Sequence, residues 1–212
     1  MNRPASRERL LRTVELVAIS AVLVLCCILC RPAFNAIYLE VGCFGDETAT
    51  SRPSVEELLL DLGESAFPNG WRAREPFDPE EWLPAEQIGL FYDHECAVAL
   101  LEVYRFSDDP RCAATGYQKQ VRGWFARWDE MSPWAVPAEL PYRSSVADQY
   151  RFNCCSRPDD SHQVCQAAAQ YEEYVVVFLA HLSPDCMTFT ELESILVAID
   201  GRMAPYLGKE ME

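Results

Sequence analysis

The sequence predicts an α+β domain, an antiparallel β-sheet with helices packed on one face, carried behind an N-terminal transmembrane helix. Three observations lead there. The run from Leu16 to Cys30 holds no charged residue, which suits lipid or the export machinery and little else. Several later stretches of strand length are apolar or alternate in polarity, the pattern of half-buried or fully buried β-structure. Two segments open with helix-capping signals and then repeat apolar residues at three- and four-residue steps, which builds one buried stripe per helix.

The apolar run is the first element. As a helix, its fifteen residues span roughly 22 Å at about 1.5 Å per residue, against a hydrocarbon core of about 30 Å. Residues 31–38 (Arg-Pro-Ala-Phe-Asn-Ala-Ile-Tyr) extend it, with Arg31 able to snorkel to the interface. Arg3, Arg7, Arg9 and Arg12 precede the run, whereas Arg31 is followed by no further basic residue until Arg52. The positive-inside rule therefore keeps residues 1–15 cytoplasmic, makes 16–38 a signal anchor, and sends the rest across the membrane. A cleaved signal peptide is the alternative, but a cut after Ala36 places Phe34 where a small residue is needed. Lipidation of Cys43 is the third option, opposed by the Glu40-Val41 that precedes Gly42-Cys43.

Residues 1–31 contain five of the 18 basic and two of the 33 acidic residues, so the exported remainder carries a net charge of −18. That charge excludes nucleic acid and anionic lipid headgroups as partners of this surface. Residues 39–53 read as a tether, 54–206 as one domain with its own core, and 207–212 as a tail.

Ser54 and Glu57 open the domain as a capping box, with a short helix expected through Leu58, Leu59, Leu60 and Leu62. Pro68-Asn69-Gly70 turns the chain, and Trp71 to Phe77 is the first expected strand. A hairpin follows: Gln87 to Tyr92 goes out, Asp93-His94-Glu95 forms the tip, and Cys96 to Phe106 returns. That second arm is nearly continuous in apolar residues, so both its faces should be covered. Asp109-Pro110 begins a helix as N-cap and first-turn proline. Its stripe is Ala113, Ala114, Tyr117, Val121, Trp124, Phe125, Trp128 and Met131. Prolines between residues 133 and 141 mark an irregular connector.

Three more strands are expected at 147–155, 164–170 and 174–182. The first puts Tyr150, Phe152 and Cys154 on one face. Thr188 and Glu191 form a second capping box ahead of a helix bearing Leu192, Ile195, Leu196, Ile199 and Met203. The order suggests two β-β-β-α halves. Tyr104-Arg105-Phe106 and Tyr150-Arg151-Phe152 occur one in each half, but a three-residue match is too short to establish a repeat.

Seven cysteines follow the apolar run: Cys43, Cys96, Cys112, Cys154, Cys155, Cys165 and Cys186. Beyond the membrane they imply up to three disulfides and one remaining thiol, either Cys43 or one of the vicinal pair. Cys154 or Cys155 with Cys165 is the expected bridge, because a short loop brings adjacent antiparallel arms together. Partners for Cys96, Cys112 and Cys186 stay open. A vicinal Cys154-Cys155 redox switch explains less than one structural bridge.

Pro68-Asn69-Gly70-Trp71 behind a leucine-rich segment, Cys155, Cys165, Tyr171, Tyr174-Val175-Val176 and a closing helix through Ile199-Asp200 together carry a likeness. This pattern resembles bacterial membrane-anchored or lipoprotein-like ectodomains of unknown function. The resemblance spans most of residues 54–206, implies a similar α+β body, and brings no catalytic residue.

No metal or cofactor is expected. Asp93-His94-Glu95-Cys96 collects four ligand types, yet neighbours on a strand point to opposite faces and do not converge on one ion. His162 and His181 show no helical pairing. Glu80, Glu81, Asp159 and Asp160 lack a calcium-loop spacing. Nucleophile elbow, zinc-protease, phosphate-loop and dinucleotide motifs are all missing. Among the tryptophans, Trp124 and Trp128 belong to the helix stripe. Trp82 and Trp134 lie beside prolines and are the expected ligand-contact residues.

The expected function is a non-enzymatic extracytoplasmic binding or sensing module, tethered to the membrane and facing an envelope protein or a small ligand. The alternatives are an exported hydrolase with carboxylates assembled by the fold, and a structural envelope protein.

Overall fold

The computed structural model describes residues 52–61, 67–79, 84–106, 110–126, 132–156 and 163–207. The predicted transmembrane segment, nearly all of the tether and most of the tail lie outside them. Among the described residues, no helix is long and apolar enough to cross a membrane.

The elements are β1 (Arg72–Ala73), β2 (Glu86–His94), β3 (Ala97–Arg105), α1 (Pro110–Ala126), β4 (Gln149–Ser156), β5 (Gln163–Tyr171), β6 (Tyr174–Leu182) and α2 (Phe189–Leu207). They form the expected α+β fold: one six-stranded sheet in the order β1-β2-β3-β6-β5-β4, antiparallel throughout. Two meanders thus meet at β3 and β6, where Leu101 sits opposite Phe178 and Val103 opposite Val176.

The helices do not share a face, contrary to the expectation. Leu101, Val103, Val176 and Phe178 pack with Leu192, Ile195, Leu196, Ile199 and Met203 of α2. The intervening Tyr104, Val175 and Val177 pack instead with Cys112, Ala113, Tyr117, Val121 and Phe125 of α1. Successive strand residues point to opposite sides, so α1 and α2 cover opposite faces. The reason lies in β6, which is apolar and buried at both parities from Tyr174 to Ala180. Each such side chain is worth roughly 1.5–3 kcal/mol when removed from water, and a single layer of helices would leave half of them wet. A two-fold axis relating the two halves would also keep the helices on one face. The repeated Tyr-Arg-Phe ends β3 and lies within β4, strands that do not correspond in the two meanders.

Two local expectations give way to packing. Among its described residues the leucine-rich segment forms a single 3₁₀ turn at Glu56–Leu58, after which Leu59 is extended with ψ 145°; Leu62 lies outside them. Extension lays both Leu58 and Leu60 on the α2 face of the sheet, and the Tyr92 hydroxyl donates to the Leu60 carbonyl at 2.8 Å. Half of the capping box survives, with Ser54 N–H donating to Glu57 at 3.0 Å. The first strand also shrinks, to Arg72–Ala73, and Phe77 rejoins the sheet through a lone bridge to Gly89. Pro76 lies between them and has no N–H to offer a ladder. The second capping box forms in full: Thr188 N–H donates to Glu191 at 2.7 Å and Glu191 N–H to the Thr188 hydroxyl at 3.3 Å.

The start of the domain is tied down by polar contacts. Arg52 pairs with Glu172, reaches Glu173 at 3.3 Å, and donates to the Tyr206 carbonyl. Tyr174 donates to the Pro53 carbonyl at 2.7 Å. Inside the α2 layer, buried Asp200 accepts from Tyr171 (2.6 Å), Tyr142 (2.7 Å) and Ser144 (2.9 Å). A carboxylate taken from water needs such donors, since an unpaired buried charge costs several kcal/mol.

Burial, reinforced by the Asp200 charge, holds the Tyr171, Tyr142 and Tyr150 hydroxyls above the ordinary tyrosine value of 10.0. Above that value the unfolded chain releases these protons while the folded chain keeps them, so folding stability falls as pH rises. Urea titrations at successive pH values from neutral upward should show a midpoint that declines once pH passes about 10, and Tyr171→Phe should flatten that decline.

Candidate functional site

A cleft opens on the α1 side of the sheet, between α1 and the β2–β3 hairpin. Its volume is about 490 Å³, within the roughly 300–1,000 Å³ range of small-molecule sites. Leu100, Glu102 and Tyr104 of β3 form its floor. Phe77, Pro79 and Phe91 stand on one side, and Lys119, Gln120, Gly123 and Trp124 of α1 on the other.

The floor follows from strand parity. Glu102 falls between Leu101 and Val103, which face α2, and therefore points toward α1. It is only 5 % exposed. Its neighbours across the sheet are Gly89 on β2 and Val177 on β6. The Tyr104 hydroxyl donates to the Glu102 carboxylate at 2.7 Å. Above it, the buried Gln120 side chain comes from α1.

The aromatic side depends on Gly89. Phe77 N–H donates to the Gly89 carbonyl at 2.9 Å, and Gly89 N–H returns the bond to Phe77 at 2.8 Å. Any Cβ at position 89 would collide with the Phe77 ring. Free of that clash, Phe77 stacks on Phe91 with centroids 5.0 Å apart and planes at 19°. The cleft therefore combines flat apolar walls with a carboxylate, a phenol and an amide at its base. Among the described lining residues, Glu102 is the one carboxylate.

The cysteines sort by strand face. Cys154 and Cys165 are opposite one another on β4 and β5, joined as a disulfide with Cα atoms 4.0 Å apart. Cys154 sends both its N–H and its carbonyl to Ala135, so its pairing with Cys165 is the closer, non-hydrogen-bonded kind that brings side chains together. Cys155 points to the other face, opposite Val164, and is a buried thiol. Cys96 and Cys186 form the second bridge, with a Cα separation of 6.0 Å and 90 residues of sequence between them. Cys112 is also disulfide-bonded.

His94 Nδ1 lies 3.1 Å from Cys96 Sγ, and the ligand atoms of His94, Cys96 and Cys186 all fall within 4.8 Å of one another. The fold thus gathers Cys186 to the His-Glu-Cys run noted in the sequence. While the two sulfurs are bonded to each other they are not thiolates, the form that holds a metal.

Trp134, an expected ligand contact, is half-buried and packs edge-on against Phe125 at 5.1 Å and 70°. Trp82, the other, lies outside the described residues, as do Trp128, Glu80, Glu81, Asp159, Asp160 and His162. Trp124, expected in the core, is instead half-buried and forms part of the cleft wall. Sequence reasoning passed over Glu102 although a signal was present: it is the lone acid in the otherwise apolar stretch Ala97–Tyr104.

Comparison with protein-family models and with characterised proteins returns no match.

Replacing Cys154 and Cys165 together by Ala should cost about 2–3 kcal/mol in a chemical denaturation curve, as expected for opening so short a loop. Burial pushes the Cys155 thiol up to about 11. Iodoacetamide at neutral pH should therefore leave Cys155 unlabelled in the native protein and modify it once denaturant is added, as peptide mass mapping would show.

Proposed function

We propose that this domain is the extracytoplasmic, ligand-binding part of a membrane-tethered protein, and that the cleft between α1 and the β2–β3 hairpin takes a small amphipathic molecule. The observation that carries the reading is Glu102, buried at the base of a cleft with aromatic walls. A carboxylate offers about four acceptor sites, one of them used by Tyr104, so the base favours a ligand end rich in donors, such as an amine or a polyol, that shares the carboxylate with its protein partners. Phe77, Phe91 and Trp124 favour a flat apolar body on the same molecule.

The uncharged N-terminal run and the arginines before it support tethering. The Cys96–Cys186 and Cys154–Cys165 bridges support an oxidising compartment. The strongly acidic composition argues against nucleic acid as a partner. Binding is favoured over the hydrolytic alternative because the described cleft lining offers a single carboxylate, where acid–base hydrolysis of a glycoside needs a pair.

A thermal-shift screen of aromatic amines and aryl glycosides against the folded domain tests the cleft. A ligand at about a hundred times its Kd should add about 2.7 kcal/mol of stability. Glu102→Gln and Trp124→Ala should each weaken binding of that ligand by about tenfold or more, the loss expected for a buried charge-assisted hydrogen bond or an aromatic contact. A ligand whose stabilisation is unchanged in both variants would place binding elsewhere. For the compartment, protease added to cells whose outer barrier has been opened should digest residues 54–206 while a cytoplasmic marker survives.

A further inference from the structure

We propose that Cys96, Cys186 and His94 form a thiol–disulfide exchange centre, separate from the cleft, that oxidises a peptide dithiol.

The two disulfides with both cysteines among the described residues differ in kind. Cys154 and Cys165 are both buried, at 7 % and 1 % exposure, on the α2 face of the sheet. Cys96 lies exposed in the turn between β2 and β3, while its partner Cys186 is buried in the turn between β6 and α2. An incoming thiolate therefore has one sulfur to attack, Cys96 Sγ, with Cys186 as the leaving group. That division into an accessible sulfur and a sheltered one gives the exchange a direction.

His94 completes the arrangement. A disulfide sulfur carries no proton, so the 3.1 Å contact between His94 Nδ1 and Cys96 Sγ places the hydrogen on Nδ1, directed at the sulfur. The imidazole has two close neighbours. Its ring lies 5.7 Å from that of Trp71, which is itself anchored by its indole N–H donating to the Cys186 carbonyl at 3.3 Å. Gly70 also lies close, with φ +96°, and a Cβ there would press to 3.0 Å on Nε2. The turn carrying Cys186 also lines an apolar hollow of about 290 Å³ that includes Leu182, Pro184, Met187 and Phe189. This hollow offers a seat for a side chain of a bound peptide.

The chemistry balances in two displacements. One substrate thiolate attacks Cys96 Sγ; an S–S bond forms between them, the Cys96–Cys186 bond breaks, and its electron pair leaves on Cys186, which takes a proton. The second substrate thiol, losing its proton, attacks the substrate sulfur of this mixed disulfide. The substrate closes its own disulfide and Cys96 departs as a thiolate, stabilised by the hydrogen bond from His94 Nδ1. Two electrons pass from the substrate to the Cys96/Cys186 pair, and the one proton released by the second substrate thiol balances the one taken up by Cys186, leaving Cys96 as the thiolate. A disulfide on a more oxidising partner restores the bridge by the same steps in reverse.

The test uses the full-length, oxidised protein and a synthetic peptide containing two cysteines. In the wild type, the Cys96–Cys186 bridge should open while Cys154–Cys165 stays closed, as non-reducing mass mapping would show. In Cys186→Ala, the oxidised peptide should be trapped as a mixed disulfide on Cys96. His94→Ala should slow exchange by about tenfold at constant pH, the loss expected for a hydrogen bond to a charged sulfur, with the circular dichroism spectrum unchanged. The proposal falls if His94→Ala exchanges at the wild-type rate, if Cys154–Cys165 opens as fast as Cys96–Cys186, or if Cys186→Ala traps no peptide on Cys96.

Discussion

The pairing of β3 with β6 is the constraint on which the rest of the structure depends. These strands join the two meanders, and their side chains are mostly apolar and buried on both faces. Water must be excluded from both sides, and antiparallel sheets commonly solve only half of that problem. Here the chain supplies a helix for each face. α2 comes directly after β6, whereas α1 is the crossover that carries the chain from β3 to the far edge strand β4. The connection needed to build the sheet is also the cover for its second face.

Tyrosine hydroxyls then fix what the apolar layers leave loose. Tyr92 and Tyr174 hold the entering segment by its carbonyls. Tyr142 and Tyr171 compensate a buried Asp200 on α2. Each has an apolar ring that belongs in the core and one polar atom that must find a partner there. The result is a set of directional contacts in a layer that hydrophobic packing alone would leave free to slide.

The same two-sided burial accounts for the cleft. A charged residue on a central strand is costly unless something answers it, and Glu102 is answered by Tyr104 on its own strand. α1 crosses that face without filling the space above β2, and Phe77 and Phe91 line the gap. The reactive-looking bridge lies elsewhere, at the turn between β2 and β3, where a strand end and the turn before α2 meet. The two proposed sites therefore lie apart, one in the middle of a face and the other at the end of a hairpin.

Much of the architecture was legible in order along the chain. Alternation and apolar runs located the five long strands, and capping residues located both helices, because these signals act over a few neighbouring residues. The small-loop disulfide was legible for the same reason, although register alone chose Cys154 over Cys155. The leucine-rich helix and the long first strand were misread: burial of Leu58 and Leu60 and the proline at 76 outweighed local preference. The identity of the covalent partner of Cys96, the opposite placement of the helices, and the meeting of Glu102 with Phe77, Phe91 and Trp124 required the folded chain. Local sequence determined which segments pair and bury, since that depends on period and propensity; tertiary structure alone decided which distant side chains converge, since that depends on strand order and on the face each helix takes.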